Sequence, residues 1–368
     1  MKQLRVILSG GGTGGHIFPA VAIANEIKNL VPGAEILFVG ALGKMEMEKV
    51  PAAGYKIIGV PIAGLQRKFT LANFKLPFLI IKSLMATRRI VDDFKPQVVV
   101  GTGGYASGPL LRAATGKGIP ALIQEQNSYA GITNKLLSKK ANKICVAYEG
   151  MEKFFPKEKI LLTGNPVRQD LQVNPAKREE AMTFFKLDPS KKTILIIGGS
   201  LGARTVNESI GAGLEQFAGQ QVQVIWQTGK LYASTATKQC APYQQHGIFA
   251  YEFISRMDLA YSAADVVISR AGASSVSELC NLGIPCVLVP SPNVAEDHQT
   301  KNAMALVNKK AALLVKDVDA REKLVKVTLD LISDFALQTE LRTNISKLAF
   351  KDSARVIAME VLKLAGHQ

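Results

Sequence analysis

From Leu4 to Ser9 the chain is apolar and β-branched, a glycine run follows, and Ile17 to Val31 then carries apolar residues at helical spacing. Glu35 to Val39 is strand-like again, so the opening segment predicts a βαβ unit. Val98–Val100, Ala121–Gln124 and Lys143–Val146 are further short apolar runs, separated by helical or glycine-rich stretches, as in a parallel sheet with crossover helices. The second half restarts the pattern. Thr193–Ile197 runs into Gly198-Gly199-Ser200-Leu201-Gly202-Ala203, and Gln223–Trp226, Val266–Ser269 and Pro285–Val289 continue it. Two strand-to-glycine-loop-to-helix openings predict two doubly wound α/β domains. Their joint is expected at Gly164-Asn165-Pro166-Val167-Arg168, where proline resists helix continuation. The stretch from Lys351 is helical in pattern with no strand after it. Ligands bind at the carboxyl ends of the strands in such sheets, which places the expected site in a cleft between the domains.

The 368 residues suit two such domains. Lys and Arg exceed Asp and Glu by 45 to 30, a formal charge of +15, which favours anionic partners: nucleic acid, phosphorylated substrates or an anionic membrane face. Nucleic acid is set aside because the basic residues are not interleaved with stacking aromatics. Cys145, Cys240, Cys280 and Cys286 form no CxxC pair and have no histidines at ligand spacing, so neither a zinc site nor a disulfide framework is expected. No apolar run reaches the ~18 residues a membrane span needs, which leaves peripheral contact.

Three glycine-rich loops carry the candidate chemistry. Gly10 to Gly15 has GxGxxG spacing between a strand and a helix, where bare backbone amides and the helix N-terminus suit a diphosphate. A dinucleotide cofactor would also need an acid at the end of the second strand, and that strand ends Phe38-Val39-Gly40-Ala41. No GxxxxGK[ST] occurs. Gly101 to Pro109 and Gly198 to Ala203 repeat the strand-to-glycine-loop arrangement.

GGTGGHIFPA, GTGGYASGP, EQNSYAGITNK, GNPVR, GGSLGA and RAGASSVSE, in this order across most of the chain, closely resemble the MurG family, the UDP-N-acetylglucosamine transferases of bacterial peptidoglycan synthesis. The resemblance implies a GT-B fold, two Rossmann-like doubly wound parallel-sheet domains facing across a cleft. Residues 1–166 would bind acceptor and membrane, with helix 351–368 packed back on them, and 167–350 would bind the UDP-sugar. It implies inverting transfer of N-acetylglucosamine from UDP-N-acetylglucosamine to undecaprenyl-diphosphoryl-N-acetylmuramoyl-pentapeptide (lipid I), forming a β-1,4 bond and giving lipid II. No cofactor and no essential metal are expected. Asp317-Val318-Asp319 has metal-binding spacing but reads as an exposed turn and helix cap. Cell-wall synthesis and division proteins are implied partners, at the cytoplasmic face of the plasma membrane.

Residue by residue, the resemblance assigns donor or acceptor contacts to Thr13, Gly14, Gly15, Asn127, Arg168, Ser200, Ile254, Ala273, Ser274, Ser275, Val276, Ser277, Glu278 and Gln299, with Asn302 assisting. Ile254 would read uracil through its backbone, Glu278 would take the ribose hydroxyls, and the Gln299 amide would both donate to and accept from the sugar. Gly12, Gly103, Gly104, Tyr105 and Ser107 are assigned to the acceptor's diphosphate. His16 is the first candidate for the base that an inverting transfer needs, against a purely structural hydrogen-bonding role; Glu125 is the alternative base. Phe74, Lys75, Phe78, Leu79, Ile81 and Lys82, with Arg67, Lys68, Arg88 and Arg89 nearby, suit a membrane-surface site as well as an ordinary crossover helix. A glycolipid synthase with a diacylglycerol acceptor is the nearest rival, but it leaves Gly101–Gly108 without a diphosphate to hold. A non-catalytic binder on the same fold is the other.

Overall fold

A computed structural model describes residues 3–62, 76–167, 171, 174–199 and 202–367, the side chains of residues 76, 77 and 295 excepted. Arg67, Lys68, Phe74, Lys75, Arg168 and Ser200 lie outside the described residues. The chain divides into one unit of Met1–Val167 with Phe350–Gln368 and a second of Arg168–Ala349.

In the first unit β1 (Arg5–Gly10), α1 (Gly14–Leu30), β2 (Glu35–Ala41), α2 (Glu46–Ala52) and β3 (Lys56–Val60) precede α3 (Leu76–Phe94) and β4 (Val98–Gly103). They are followed by α4 (Ser107–Thr115), β5 (Ala121–Glu125), α5 (Ile132–Leu137), β6 (Lys143–Val146) and β7 (Ile160–Leu162). The strands are all parallel, in the order β3-β2-β1-β4-β5-β6-β7. Alternate side chains serve opposite faces. Ile7 and Val99 join Leu110, Leu111 and Ile90 in one core, while Val6, Leu8, Val98 and Val100 join Ile17, Ile23 and Ile27 in the other. The second core is closed by Ile357, Ala358 and Val361 of the chain's last helix. Gly164 (φ +74°) is required here, since a Cβ would stand 2.2 Å from Cβ of Phe350.

The second unit holds α6 (Pro175–Phe185), β8 (Thr193–Ile197), α7 (Arg204–Ala212), α8 (Leu214–Gly219), β9 (Gln223–Gln227), α9 (Ala233–Cys240), β10 (Ile248–Tyr251) and α10 (Met257–Ala263). Then come β11 (Val266–Ser269), α11 (Ala273–Leu282), β12 (Cys286–Leu288), α12 (His298–Val307), β13 (Leu313–Leu314), α13 (Ala320–Ser333) and α14 (Phe335–Ser346); the chain's last helix is α15 (Ser353–Leu364). The order β10-β9-β8-β11-β12-β13, again all parallel, repeats the winding of the first unit. Trp226 is fully buried on β9, and its indole N–H donates to Asn207 Oδ1 at 3.0 Å, so its one polar atom is satisfied.

Both sheets reverse winding direction between their first and fourth strands, β1/β4 and β8/β11. The described residues leaving those strands are Gly11–Thr13 with 104–106, and 198–199 and 202–203 with Arg270–Gly272. The sequence's glycine loops therefore fall at the switch points where such sheets take ligands.

All four cysteines are free and buried, and burial pushes the thiols of Cys145 and Cys280 up to about 12 and that of Cys240 to about 11. Ellman's reagent at neutral pH should find none of them in the native protein and all four in denaturant.

Candidate active site

Two loops interlock at the β1/β4 switch point. The Gly11 amide donates to Gly103 O at 3.3 Å, and Thr102 Oγ1 donates to His16 O at 2.7 Å. A Cβ on Gly104 (φ +89°) would lie 2.4 Å from Gly11 O, and one on Gly10 would lie 2.0 Å from Thr102 Oγ1. Glycine is needed because backbone packs on backbone. The helix α1 starts inside the glycine run, at Gly14, three residues before the predicted Ile17. Thr13 occupies its N-cap without a side-chain capping bond, which leaves its exposed hydroxyl and the Gly14 and Gly15 amides directed off the helix end.

His16 is half-buried, with Nδ1 2.9 Å from Gly11 O. Since a carbonyl only accepts, Nδ1 is the donor in this contact, and in the neutral ring it is then Nε2 that carries the lone pair. The edge of the ring bearing Nε2 lies against Gly103 (φ +104°), where a Cβ would stand 3.0 Å from that nitrogen. Gly12 and Tyr105 are exposed at the same loops. Ser107 opens α4 with its hydroxyl buried and unpartnered among the described residues.

Glu125, the alternative base, is buried with both carboxylate oxygens occupied. Oε1 accepts the Asn127 amide at 3.1 Å and Asn127 Nδ2 at 3.4 Å, and Oε2 accepts the Gly131 amide and Asn134 Nδ2, both at 2.9 Å. The carboxylate shapes the loop that presents Asn127. Beneath it Gln124, Gln126 and Asn165 form a buried network: Gln124 Nε2 donates to Asn165 Oδ1 (2.9 Å), Asn165 Nδ2 to Gln126 O (3.0 Å), and Gln126 Nε2 to Thr102 O (2.6 Å). The network ties β5 and the Gly164-Asn165-Pro166 segment to the second glycine loop.

At the β8/β11 switch point Gly202 (φ +86°) lies against Thr228 O, which a Cβ would meet at 2.5 Å. Gly272 caps α11 with extended backbone and no side-chain bond. Neither Ser274 nor Ser275 caps the helix, so their half-buried hydroxyls and the first-turn amides remain for an anion. Ala273 and Val276 are buried, and the Val276 amide is spent on Gly272 O at 2.9 Å. Ser277 and Glu278 are half-buried one turn on, with Glu278 Oε2 accepting from Tyr261 OH at 2.8 Å.

Hydrogen-bond partners within the chain already engage several of the expected contact residues. The Ile254 amide already donates to Gln227 Oε1 at 3.0 Å, which leaves its carbonyl for a base. Gln299 Oε1 already accepts the Ser291 amide at 2.8 Å, which leaves one lone pair and the NH₂ toward a sugar. Asn302 is fully buried and bonds Ala271 O at 3.3 Å, a structural tie rather than a sugar contact. Asp317 is no exposed turn: it ion-pairs with Arg270 and accepts from Thr205 Oγ1 at 2.9 Å. Arg270 also donates to the carbonyls of Val289 (3.1 Å) and Pro290 (3.2 Å), locking the loops after β11 and β12 together. Asp319 stands at the N-cap of α13 but makes no capping bond.

The sequence reading passed over Glu46, Gln124, Gln126 and Arg270. For Glu46 a signal existed, an acid five residues beyond the end of β2, where an acid at the strand end itself was sought.

The glycosyltransferase family 28 N-terminal domain matches residues 6–146, and the family's C-terminal domain matches residues 193–357. The chain belongs to glycosyltransferase family 28. The transferase of Parabacteroides distasonis named UDP-N-acetylglucosamine–N-acetylmuramyl-(pentapeptide) pyrophosphoryl-undecaprenol N-acetylglucosamine transferase is 59% identical over 364 residues, 99% of each chain. The protein of that name from Phocaeicola vulgatus is 60% identical over 368 residues, 99% of this chain and 97% of that one. The crystal structure of Acinetobacter baumannii MurG matches with a TM-score of 0.79 and 29% identity over 98% of this chain and 99% of that one. The family 28 chain thus has the GT-B fold, two parallel-sheet α/β domains.

Replacing Asp317 with Ala leaves the largely buried Arg270 guanidinium unpaired. It should destabilise the second unit by about 2 kcal/mol or more, read as a lower midpoint in urea unfolding.

Proposed function

We propose that the chain transfers N-acetylglucosamine from UDP-N-acetylglucosamine to undecaprenyl-diphosphoryl-N-acetylmuramoyl-pentapeptide, giving a β-1,4 bond with inversion. The observation that carries this reading is the 59% identity to a transferase of that name over 99% of both chains. In it the first unit takes the acceptor. The amides of Gly14 and Gly15 at the start of α1, and the loop ending at Ser107, meet the lipid's diphosphate. The second unit takes the donor, with the start of α11 at the UDP phosphates and Glu278 at the ribose; Arg168 and Ser200 complete it from outside the described residues.

His16 is the base in this reading. Its Nε2 lone pair takes the proton of the acceptor hydroxyl as that oxygen attacks the anomeric carbon, and the bond from that carbon to the UDP oxygen breaks on the opposite side. The Nδ1–H bond to Gly11 O holds the tautomer that makes Nε2 basic. Glu125, with both oxygens engaged, positions Asn127 instead. Charge on the leaving UDP is met by amides, hydroxyls and the α11 dipole, with no essential metal. The engagement of Asp317 by Arg270 and Thr205 supports that, since it takes the first carboxylate of the Asp-x-Asp spacing.

For the lipid-borne acceptor we assign docking to α3. Ser83, Thr87, Ile90 and Val91 face inward, while Phe78 (70% exposed), Ile81 and Met85 face out beside Lys82, Arg88 and Arg89. Leu79 is half-buried and contributes less. Among the described residues no helix is long and apolar enough to cross a membrane. An outward stripe of this make-up suits peripheral attachment to an anionic surface, at the cytoplasmic face where the donor is available. Cell-wall synthesis and division proteins remain proposed partners on the same footing.

Purified protein given labelled UDP-N-acetylglucosamine and a short-chain lipid-diphosphoryl muramoyl-peptide should move label into the lipid product equally with and without EDTA. Hydrolysis alone, or transfer only to diacylglycerol, would overturn the acceptor. His16→Ala should lower kcat roughly 10²–10⁴-fold with donor affinity kept; near-normal turnover at saturating acceptor would remove His16 from the chemistry. Reversing charge at Lys82 and Arg88 should weaken binding to anionic liposomes about tenfold or more, and unchanged binding would remove α3 from the membrane site.

A further inference from the structure

We infer that Glu46 is a positioning residue for His16, acting through the single peptide unit that joins Gly11 to Gly12. This rests on the reading of His16 as the base. Glu46 opens α2 and is 1% exposed. Its Oε1 accepts the Ala41 amide at the end of β2 (3.0 Å), and its Oε2 accepts the Gly12 amide (2.8 Å). A trans peptide is planar, with its N–H and C=O pointing in opposite directions. The N–H of the 11–12 unit points at Glu46, so its carbonyl, Gly11 O, points away, and there it accepts Nδ1–H of His16 at 2.9 Å.

Glycine on both sides of that unit makes the constraint necessary. Gly12 has φ +84°, and two flanking glycines let the peptide rotate at little steric cost. Rotation by half a turn would direct the N–H at His16 and the carbonyl at Glu46. The imidazole would then have to accept at Nδ1 and carry its proton on Nε2, the nitrogen the reaction needs bare. The carboxylate, an acceptor only, excludes the rotated form. Its packing adds to this, since a Cβ on Gly11 would lie 2.1 Å from Glu46 Oε1. An acid near the second strand of a dinucleotide-binding sheet holds ribose. Here both oxygens are turned onto the chain's own backbone.

The test is the imidazole tautomer, read from long-range ¹H–¹⁵N correlations of histidine-labelled full-length protein, with the His16 signals assigned by loss in His16→Gln. The parent should show His16 protonated on Nδ1. In Glu46→Gln the carboxamide presents NH₂ to one of the two amides, so His16 should shift toward the Nε2–H tautomer. Its kcat should fall about tenfold or more, with the KM for UDP-N-acetylglucosamine within about twofold. Gly11→Ala, which presses on the same carboxylate from the other side, should change both readouts in the same direction. A parent already protonated on Nε2 overturns the inference without any variant. A folded Glu46→Gln protein with tautomer and kcat both unchanged overturns it as well. A shifted tautomer with unchanged kcat supports the hold of Glu46 on the ring and overturns His16 as the base.

Discussion

At the carboxyl ends of β1 and β4 the chain packs backbone directly on backbone, and the candidate active site of the first unit is organised by that contact. Gly11 and Gly104 approach until a Cβ on the latter would sit 2.4 Å from Gly11 O, and the same closeness puts Gly103 against the ring of His16. Side chains between these loops would separate the strand ends and cover the backbone amides there. The second unit repeats the solution, with Gly202 against Thr228 O at the β8/β11 switch point. The glycines are thus a requirement of the close packing at the switch points of the two sheets.

Loops made of glycine have little stiffness of their own, and buried polar side chains supply it. Glu46 holds the first loop by the Gly12 amide, Gln126 holds the second through Thr102 O, and Glu125 folds the segment from Asn127 to Gly131 around its two oxygens. Arg270 does the same in the second unit, where one nitrogen, Nη1, pairs with Asp317 and also donates to the carbonyls of Val289 and Pro290. Burial makes each of these groups costly to leave unpaired, so each selects one loop conformation strongly. Carboxylates, carboxamides and one guanidinium thus fix the loops, which themselves carry backbone amides, small hydroxyls and one imidazole.

The helix α3 shows how one element divides its work between its two sides. Ile90, Val91 and Phe94 enter the core beside α4, and the Thr87 hydroxyl bonds back to Ser83 O at 2.9 Å. Phe78, Ile81 and Met85 have no place in that core, and on an exposed helix such residues are a liability unless something apolar covers them. Alternation of Lys82, Arg88 and Arg89 with them keeps the face soluble and gives it the sign that anionic headgroups attract.

The α/β class, the repeated winding and the glycine loops were legible in the residues alone, and the reason is burial. The runs read as strands, from Leu4–Ser9 to Pro285–Val289, correspond to the interior strands β1, β2, β4, β5, β6, β8, β9, β11 and β12. Helices cover such strands on both faces and strands flank them on both sides, so their sequence must be almost continuously apolar. The strands that went unread, β3, β7, β10 and β13, are the edges of the two sheets. There Lys56 and Ile58 are exposed and β7 and β13 are only partly covered, so pairing on one side sufficed without an apolar signature. Ser275, Glu278 and Gln299 became candidates through the family resemblance, and His16 through its place beside the first glycine loop. Only the tertiary structure showed which atoms the chain itself engages: Nδ1 of His16, Oε1 of Gln299, Oε2 of Glu278 and, likewise, the amide of Ile254. Those partners lie between five and twenty-seven residues away, and the fold brings them into contact. Glu46 stands five residues beyond β2, but its hold on the Gly12 amide, thirty-four residues away, exists only in the fold.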